Sequence, residues 1–245
     1  RRAEISERHA EEFHLIEWYR VDAPLTAVQA DVEALVDAVF AAARRGGPPR
    51  WERRGLLELV EETCALRLRG DEDEVHLRAV VSPAGLDLGA PPPSRDPAVR
   101  SLAAWSAFLS AWSDRYLDPL LESWPERALH VVDFPPALAA LAAIADGRAA
   151  RFESYVGGVE LANGYHELRD PEVQRQRFEV VAGLRRALGL VEVPFDEAFI
   201  ADLRDLGLPP CSGVALGLDR LLMVASAAPS LGAIGLALPP WVEAG

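Results

Sequence analysis

Residues 151–178 read RFESYVGGVELANGYHELRDPEVQRQRF, and they carry the strongest local folding signal in the chain. Gly157-Gly158 lies between two runs rich in β-branched and aromatic residues, which predicts a β-hairpin with a two-residue turn. Such a turn would place Glu153 opposite Ala162. Because side chains alternate between the two faces of a strand, Glu153 and Glu160 are expected on the same face.

Two carboxylates that lie this close repel each other unless a positive charge sits between them. Mg²⁺, which prefers a few carboxylate oxygens together with phosphate oxygens, would satisfy Glu153 and Glu160. Asn163 and Glu167 have the opposite parity on the strand. We expect them to reach the same site only if the strand bends near Gly164, which glycine permits. The alternative interpretation is a solvated acidic strand face.

The composition limits the class of protein. The chain has 245 residues, half of them hydrophobic, and a formal net charge of −13. This length fits one large domain or two small ones. The acidity disfavours a broad nucleic-acid surface, since binding of the phosphate backbone depends on clustered basic residues. A local cationic pocket for a nucleotide remains compatible with it.

The sequence also bears on the cellular location. It contains no apolar run long enough for a membrane span, and we expect no signal peptide. Cys64 and Cys211 are far apart and form neither a disulfide framework nor a CxxC metal motif. We therefore expect a cytoplasmic protein. The first residue is not Met, so we also expect a fragment or a processed chain.

The remaining sequence reads as alternating strands and helices. Predicted strands cover 13–19, 128–134 and a segment ending at Leu216; predicted helices cover 27–44, capped by Thr26, and 56–68, 98–116, 171–188 and 196–206. A further helix that opens near Leu218 places Arg220 in its first turn, where backbone N–H groups favour anions. The tail, residues 231–240, shows no residue with an evident chemical role.

Three stretches together resemble a known family: EFHLIEWYR at 12–20, the hairpin segment at 151–178, and PPCSGVALGLDRLLM at 209–223. They are similar to motif 2, the metal and amino-acid strand, and motif 3 of class II aminoacyl-tRNA synthetases. The similarity is greatest to the lysyl branch, and within it to the short paralogues that attach a lysine-type amino acid to elongation factor P.

The resemblance implies an α+β fold, an antiparallel β-sheet flanked by helices. It implies a single catalytic domain over residues 1–245 that begins within motif 2 and is therefore truncated at its N-terminal end. It also implies ATP and Mg²⁺ as cofactors and a homodimer in the full-length protein.

The family's functional residues are carried over by position. The catalytic group would comprise Arg1, Arg220, Glu153 and Glu160, with Glu153 and Glu160 as the metal ligands. ATP would contact Arg1, Arg2, Glu4, His9, Phe13, Glu153, Ser154, Gly217 and Arg220. The lysine-type amino acid would be held by Glu17, Tyr19, Glu160, Asn163, Glu167 and Ala215. A carboxylate-lined pocket is what a ligand with ammonium groups requires.

Some positions depart from the family pattern. The motif 2 arginine is Arg1 in an ungapped match and Arg2 after a shift of one residue. The loop Arg8-His9-Ala10 lacks the usual Asn and Pro of this loop. Ala215 stands where lysyl-tRNA synthetases have Gly. The paralogues resemble this chain in carrying Ala here, a change that suits a β-lysine-type substrate.

The resemblance implies an enzyme that uses ATP to activate (R)-β-lysine or lysine and ligates it to a lysine of elongation factor P. On this interpretation tRNA is not expected as a partner. Two alternatives stay open: a lysyl-tRNA synthetase fragment that charges tRNA, and a non-catalytic synthetase-like binding module.

Overall fold

One β-sheet organises the chain. The structure, a computed structural model, describes Arg8 and residues 12–43, 49–124 and 126–234. The strands in these ranges are β1 (Leu15–Val21), β2 (Arg50–Gly55), β3 (Arg127–Phe134), β4 (Ile144–Ala145), β5 (Arg148–Val156), β6 (Val159–His166) and β7 (Cys211–Gly217). The α-helices there are α1 (Leu25–Ala42), α2 (Leu56–Cys64), α3 (Glu74–Val81), α4 (Pro97–Trp112), α5 (Asp118–Glu122), α6 (Pro171–Ala187), α7 (Glu197–Asp205) and α8 (Leu218–Ser226).

The strands lie in the order β1-β7-β6-β5-β3-β2, and the short β4 pairs with the start of β5. Every pairing is antiparallel except that of β2 with β3, which is parallel. The predicted α+β fold with a sheet flanked by helices is therefore confirmed. The sheet is mixed rather than fully antiparallel because β2 and β3 are joined through the long crossover that contains α2 to α5.

The two faces of the sheet are covered differently. One face packs against α1 and α8, through a core that includes Val32, Phe152 and Leu216. The other face packs against α2 to α4, but the core there, with Trp105 and Leu129 at its centre, reaches only the β3 and β5 side of the sheet. In the described part of the chain, the β1-β7-β6 side of that face has no covering helix. We call it the open face.

A β-bulge in β6 decides which side chains reach the open face. Tyr155 pairs with Glu160 as predicted, but Ser154 pairs with Ala162, so Leu161 is an extra residue in β6. The predicted pairing of Glu153 with Ala162 is therefore wrong, and Glu153 lies opposite Asn163 instead.

The predicted parity of Asn163 and Glu167 is also corrected by this register. The bulge shifts the alternation by one residue, which brings Asn163 onto the same face as Glu153 and Glu160 without a bend at Gly164. Gly164 has another role: a Cβ built there would lie 2.4 Å from Cε1 of Phe152 and 2.8 Å from the carbonyl oxygen of Gly213. Its missing side chain makes room for the Phe152 ring on the covered face.

The predicted helices and strands occur with small changes in their bounds. Asp170 caps α6 by accepting from the N–H of Glu172 and of Val173, with Pro171 as first helical residue, as expected. Helix α1 instead begins at Leu25 after Pro24, without a side-chain cap, so the predicted Thr26 cap is wrong. None of the helices in the described ranges is long and apolar enough to cross a membrane.

The space at Gly164 gives a direct test of this packing. Gly164→Ala should lower the free energy of unfolding by about 1–3 kcal/mol, because the new methyl group overlaps Phe152 and the neighbouring strand. Urea unfolding followed by tryptophan fluorescence measures the change.

Gly232→Ala is the matched control for this change. The nearest atom to a Cβ at Gly232 is Oγ of Ser230 at 3.8 Å, and we expect no loss of stability beyond about 0.5 kcal/mol. Equal stability of the two variants would show that the Phe152 ring does not pack over Gly164.

Candidate active site

Strand β7 forms the floor of the candidate site because its residues on the open face are small. Gly213, Ala215 and Gly217 alternate along β7 and point to this face. A Cβ at Gly213 would lie 2.4 Å from Cε1 of Tyr19 and 2.9 Å from Oε1 of Glu167. The small residues thus let larger side chains from β1 and β6 approach each other across β7.

The register places the predicted site residues in rows across this floor. Ala215 pairs with Glu17 on one side and with Asn163 on the other, and Asn163 in turn pairs with Glu153. The next row joins Tyr19, Gly213 and Tyr165. Residues far apart in sequence are therefore assembled by strand pairing alone.

A cleft of about 310 Å³ opens at the Gly217 end of the floor. Its lining residues are Arg8, Phe13, His14, Leu15, Glu160, Leu161, Ala162, Asn163, Ala215, Gly217, Asp219, Arg220 and Leu231. Six of the predicted site residues, from three separate stretches of sequence, are among them. The cleft has the size of a small-molecule site and combines apolar walls with charged groups.

Arg220 lies at the start of α8 and points towards β6. It donates from Nη1 to the backbone oxygen of Glu160 at 2.9 Å and from Nε to the backbone oxygen of Arg8 at 3.2 Å. The same Nη1 is 3.9 Å from the Glu160 carboxylate. Arg220 and Glu160 therefore face one cleft, and a guanidinium fixed in this way can receive an anionic ligand.

The link between β1 and α8 was not predicted from the sequence. Asp219 is buried and accepts from the backbone N–H of His14 at 2.7 Å and from its Nδ1 at 3.1 Å. The N–H of Leu218 donates to the His14 carbonyl oxygen at 2.9 Å. These contacts fix the segment that carries Phe13 against the helix that carries Arg220. No local pattern in the sequence marks a contact between His14 and Asp219, which are 205 positions apart.

Glu153 is held by two neighbours that the sequence analysis did not single out. Its carboxylate accepts from a terminal guanidinium nitrogen of Arg151 and from the Tyr155 hydroxyl at 2.7 Å. Arg151 is buried, lies over the Phe134 ring at 4.2 Å and donates to the Leu138 carbonyl oxygen at 2.8 Å. Burial and the nearby Glu153 carboxylate raise the pKa of Tyr155, so its hydroxyl stays a donor.

Asn163 lies at the centre of the floor, between β7 and Glu153. Among the residues that the structure describes, its Oδ1 finds no hydrogen-bond partner although the atom is buried. A buried acceptor without a donor is costly. A ligand that brings an N–H donor, such as an ammonium group, would satisfy it.

Glu167 lies beyond the end of β6, next to Gly213 and Tyr19. Its backbone N–H donates to the Cys211 carbonyl oxygen at 3.0 Å, which holds it beside β7. Burial raises the pKa of its carboxyl from the ordinary 4.5 to about 7. A cation bound beside it would offset the cost of ionising this group.

Some predicted site residues do not reach the cleft or cannot be placed. Ser154 is fully buried on the covered face, where its hydroxyl is 2.9 Å from Nδ1 of His130, so its side chain does not border the cleft, and its contact with ATP stays a prediction. Arg1, Arg2, Glu4 and His9 lie outside the described residues.

The acidic residues allow a metal site only in part. Within the described ranges, no group of three or more His, Cys, Asp or Glu side chains is placed to hold a metal ion. Glu153 and Glu160 nevertheless lie on one face of adjacent strands. Mg²⁺ is commonly bound by one or two carboxylates plus substrate phosphates, so these two residues fit a metal that arrives with a nucleotide.

Comparison with known proteins agrees with this fold. Residues 1–235 match the family described as tRNA synthetases class II (D, K and N). The chain belongs to this family.

Curated relatives narrow the similarity further. The chain is 36% identical over 229 residues to the elongation factor P--(R)-beta-lysine ligase of Vibrio cholerae, and the match covers 92% of this chain and 64% of that protein. It is 34% identical over 235 residues to the ligase of the same name from Pectobacterium atrosepticum, covering 94% and 66%. A 103-residue match to the Proteus mirabilis ligase reaches 53% identity over 41% of this chain and 31% of that protein. The chain spans about two thirds of the length of the first two relatives.

The raised pKa of Glu167 gives a prediction that needs no ligand. Carbon-13 NMR of the glutamate carboxyls should show one group that titrates near pH 7 and is missing in Glu167→Gln. In the unfolded chain this carboxyl titrates near its ordinary pKa. The native state therefore keeps the proton up to a higher pH than the unfolded state does. The native state therefore loses stability relative to Glu167→Gln as the pH rises from about 4.5 to 7 and reaches a constant difference above that.

Glu17 supplies the control residue, since it lies on the same face in the row of Ala215. Glu17→Gln should keep the resonance that titrates near pH 7. Loss of that resonance in Glu17→Gln and its survival in Glu167→Gln would contradict the assignment.

Proposed function

We propose that the complete protein uses ATP to activate a lysine-type amino acid, (R)-β-lysine or lysine, and ligates it to a lysine of elongation factor P. The observation that carries the proposal is the single floor of β7. Arg220 and Glu160 lie at one end of it, Asn163 lies at its centre, and Glu167 lies at the other end. The names of the curated relatives support the identity of the amino acid and of the acceptor.

Each end of the floor has the chemistry of one substrate. Arg220 provides fixed donors for phosphate oxygens, and Phe13 and Leu15 provide apolar surface for a base. Asn163 Oδ1 and the Glu167 carboxyl suit ammonium groups, with Glu17 and Tyr19 on the same face. The arrangement brings the carboxylate of the amino acid and the phosphates of ATP together over Ala215.

The reaction would then proceed in two balanced steps. A carboxylate oxygen of the amino acid attacks the α-phosphorus of ATP, and the bond to pyrophosphate breaks. The ε-amine of the acceptor lysine attacks the carbonyl carbon of the adenylate and forms an amide bond. The bond from that carbon to the phosphate oxygen breaks, AMP leaves, and the proton lost by the amine passes to solvent. The role of the protein is to position the groups and to neutralise charge with Arg220.

We also assign Mg²⁺ to Glu153 and Glu160. When bound, it would neutralise phosphate charge and orient the phosphate oxygens. Arg151 and the Tyr155 hydroxyl fix the Glu153 carboxylate in one orientation, whereas Glu160 borders the cleft. The Arg1 or Arg2 side chain is expected to add a second cation to the phosphate end, in line with the family resemblance.

The methyl group of Ala215 lies between Glu17 and Asn163, so it sets the depth of the floor where the amino acid would lie. We infer that it favours a substrate whose amine is displaced from the α-carbon, as in β-lysine. The net charge of −13 disfavours a tRNA acceptor. We further expect a homodimer of the complete protein and a cytoplasmic location, in keeping with two cysteines that are not in a disulfide.

ATP–pyrophosphate exchange by the full-length protein tests the proposal. Exchange should depend on (R)-β-lysine, more weakly on lysine, and should persist without tRNA. Arg220→Ala should lower kcat/KM on the order of 10²- to 10³-fold, because a fixed donor to the phosphates is lost. Arg220→Lys should retain part of the activity, since charge remains but the fork of donors does not.

The control variant is Arg67→Ala. Arg67 pairs with Glu61 on the surface and does not border the cleft, so its loss should leave exchange unchanged. Absence of exchange with every lysine isomer would contradict an adenylate-forming enzyme. Exchange that transfers the amino acid to tRNA and not to elongation factor P would instead favour a lysyl-tRNA synthetase.

A further inference from the structure

Leu231 borders the cleft although it belongs to the tail in which the sequence showed no functional residue. It begins a short 3₁₀ helix, Leu231–Ile234, that follows α8. The position of Leu231 has a cause in the local backbone and a consequence for the ligand.

The end of α8 directs the chain back towards the cleft. Ala227 adopts a left-handed conformation with φ of 48°, and the N–H of Ala228 donates to the Met223 carbonyl oxygen at 2.9 Å. This pattern ends the helix and reverses the chain. The following residues pack on the sheet side of α8, where Leu231 and Ile234 join the core that α1 and α8 share.

The core, and not a ligand, thus holds Leu231 in place. Its side chain is half-buried, with one side on the core and the other on the cleft. Two of the charged groups that line the cleft, Arg220 and Glu160, interact with each other at 3.9 Å. Phe13, Leu15 and Leu231 supply apolar surface from outside that pair. The two kinds of lining match the two parts of a nucleotide, an apolar base and a charged polyphosphate.

We propose that Leu231 forms a wall of the base-binding end of this cleft and determines nucleotide affinity and the preference for a purine base. The inference rests on the proposed use of ATP and assigns to it a residue outside the three family-like stretches. A wall of this kind contacts more surface of a purine than of a pyrimidine. Removal of this wall therefore weakens the binding of ATP more than the binding of CTP.

Calorimetric titration of the full-length protein with ATP and with CTP tests the proposal. Leu231→Ala should raise the dissociation constant for ATP about tenfold, the effect expected for the loss of two or three apolar carbons from a contact. Leu231→Ala should raise the dissociation constant for CTP by a smaller factor. The ratio of the dissociation constants for CTP and ATP should therefore fall. Leu231→Met, which restores apolar volume, should bind ATP within about twofold of the wild type.

Ile234→Ala is the matched control. Ile234 lies in the same short helix, is similarly half-buried and packs on the same core, but it does not border the cleft. Both alanine variants should lose similar thermal stability, whereas only Leu231→Ala should lose affinity for ATP.

Each outcome decides the question. Equal affinity of Leu231→Ala and Ile234→Ala for ATP would overturn the role of Leu231, even if exchange activity confirms the proposed function. A wild-type protein that binds ATP without pyrophosphate exchange would refute the proposed function alone, and the two variants would still decide the role of Leu231. A wild-type protein that does not bind ATP overturns both.

Discussion

The candidate site depends on one extra residue in a strand. Without the bulge at Leu161, strict alternation along β6 would turn Asn163 towards α1 while Glu160 faced the cleft. With it, Glu160, Asn163 and Tyr165 all reach the open face, opposite Tyr155, Glu153 and Arg151 of β5. Bulges commonly re-aim side chains next to active sites, and this one gathers acidic and amide groups that would otherwise be divided between two faces.

The second constraint is that the two faces of the sheet have different roles around the site. The face covered by α1 and α8 is packed, and residues such as Ser154 and Phe152 serve there as hydrogen-bonding and packing groups, whereas the core on the other face reaches only the β3 and β5 side. The open face owes its cleft to what is missing from β7, the side chains of Gly213 and Gly217. A floor of small residues and a rim of charged ones thus follow from the same alternation.

The hairpin, the α6 cap at Asp170 and the β7–α8 turn were predictable because each depends on local signals: a Gly-Gly turn, an Asp-Pro start and an apolar strand before a helix. Local patterns also indicated Glu160 and Arg220, and the resemblance assigned them roles in binding ATP. The bulge was not predictable, since a one-residue insertion leaves no mark in the pattern of residue types.

Contacts between distant segments were missed for a different reason. The bonds from His14 to Asp219 span more than 200 residues, and the Glu153 partners Arg151 and Tyr155 look like ordinary strand residues. Leu231 carries no motif at all, and only the chain reversal at Ala227 brings it to the cleft. Local patterns therefore located the strands that hold the site, and tertiary packing determined its walls.

The central claim is that β7 is the floor of one continuous site for both substrates. A crystal structure of the full-length protein with a non-hydrolysable sulfamoyl analogue of the (R)-β-lysyl adenylate tests it most directly. The account predicts adenosine beside Phe13 and Leu15, the linking group over Ala215, and an ammonium group within hydrogen-bond distance of Asn163 or Glu167. A well-ordered analogue bound at another site, with the β7 floor empty, would contradict it.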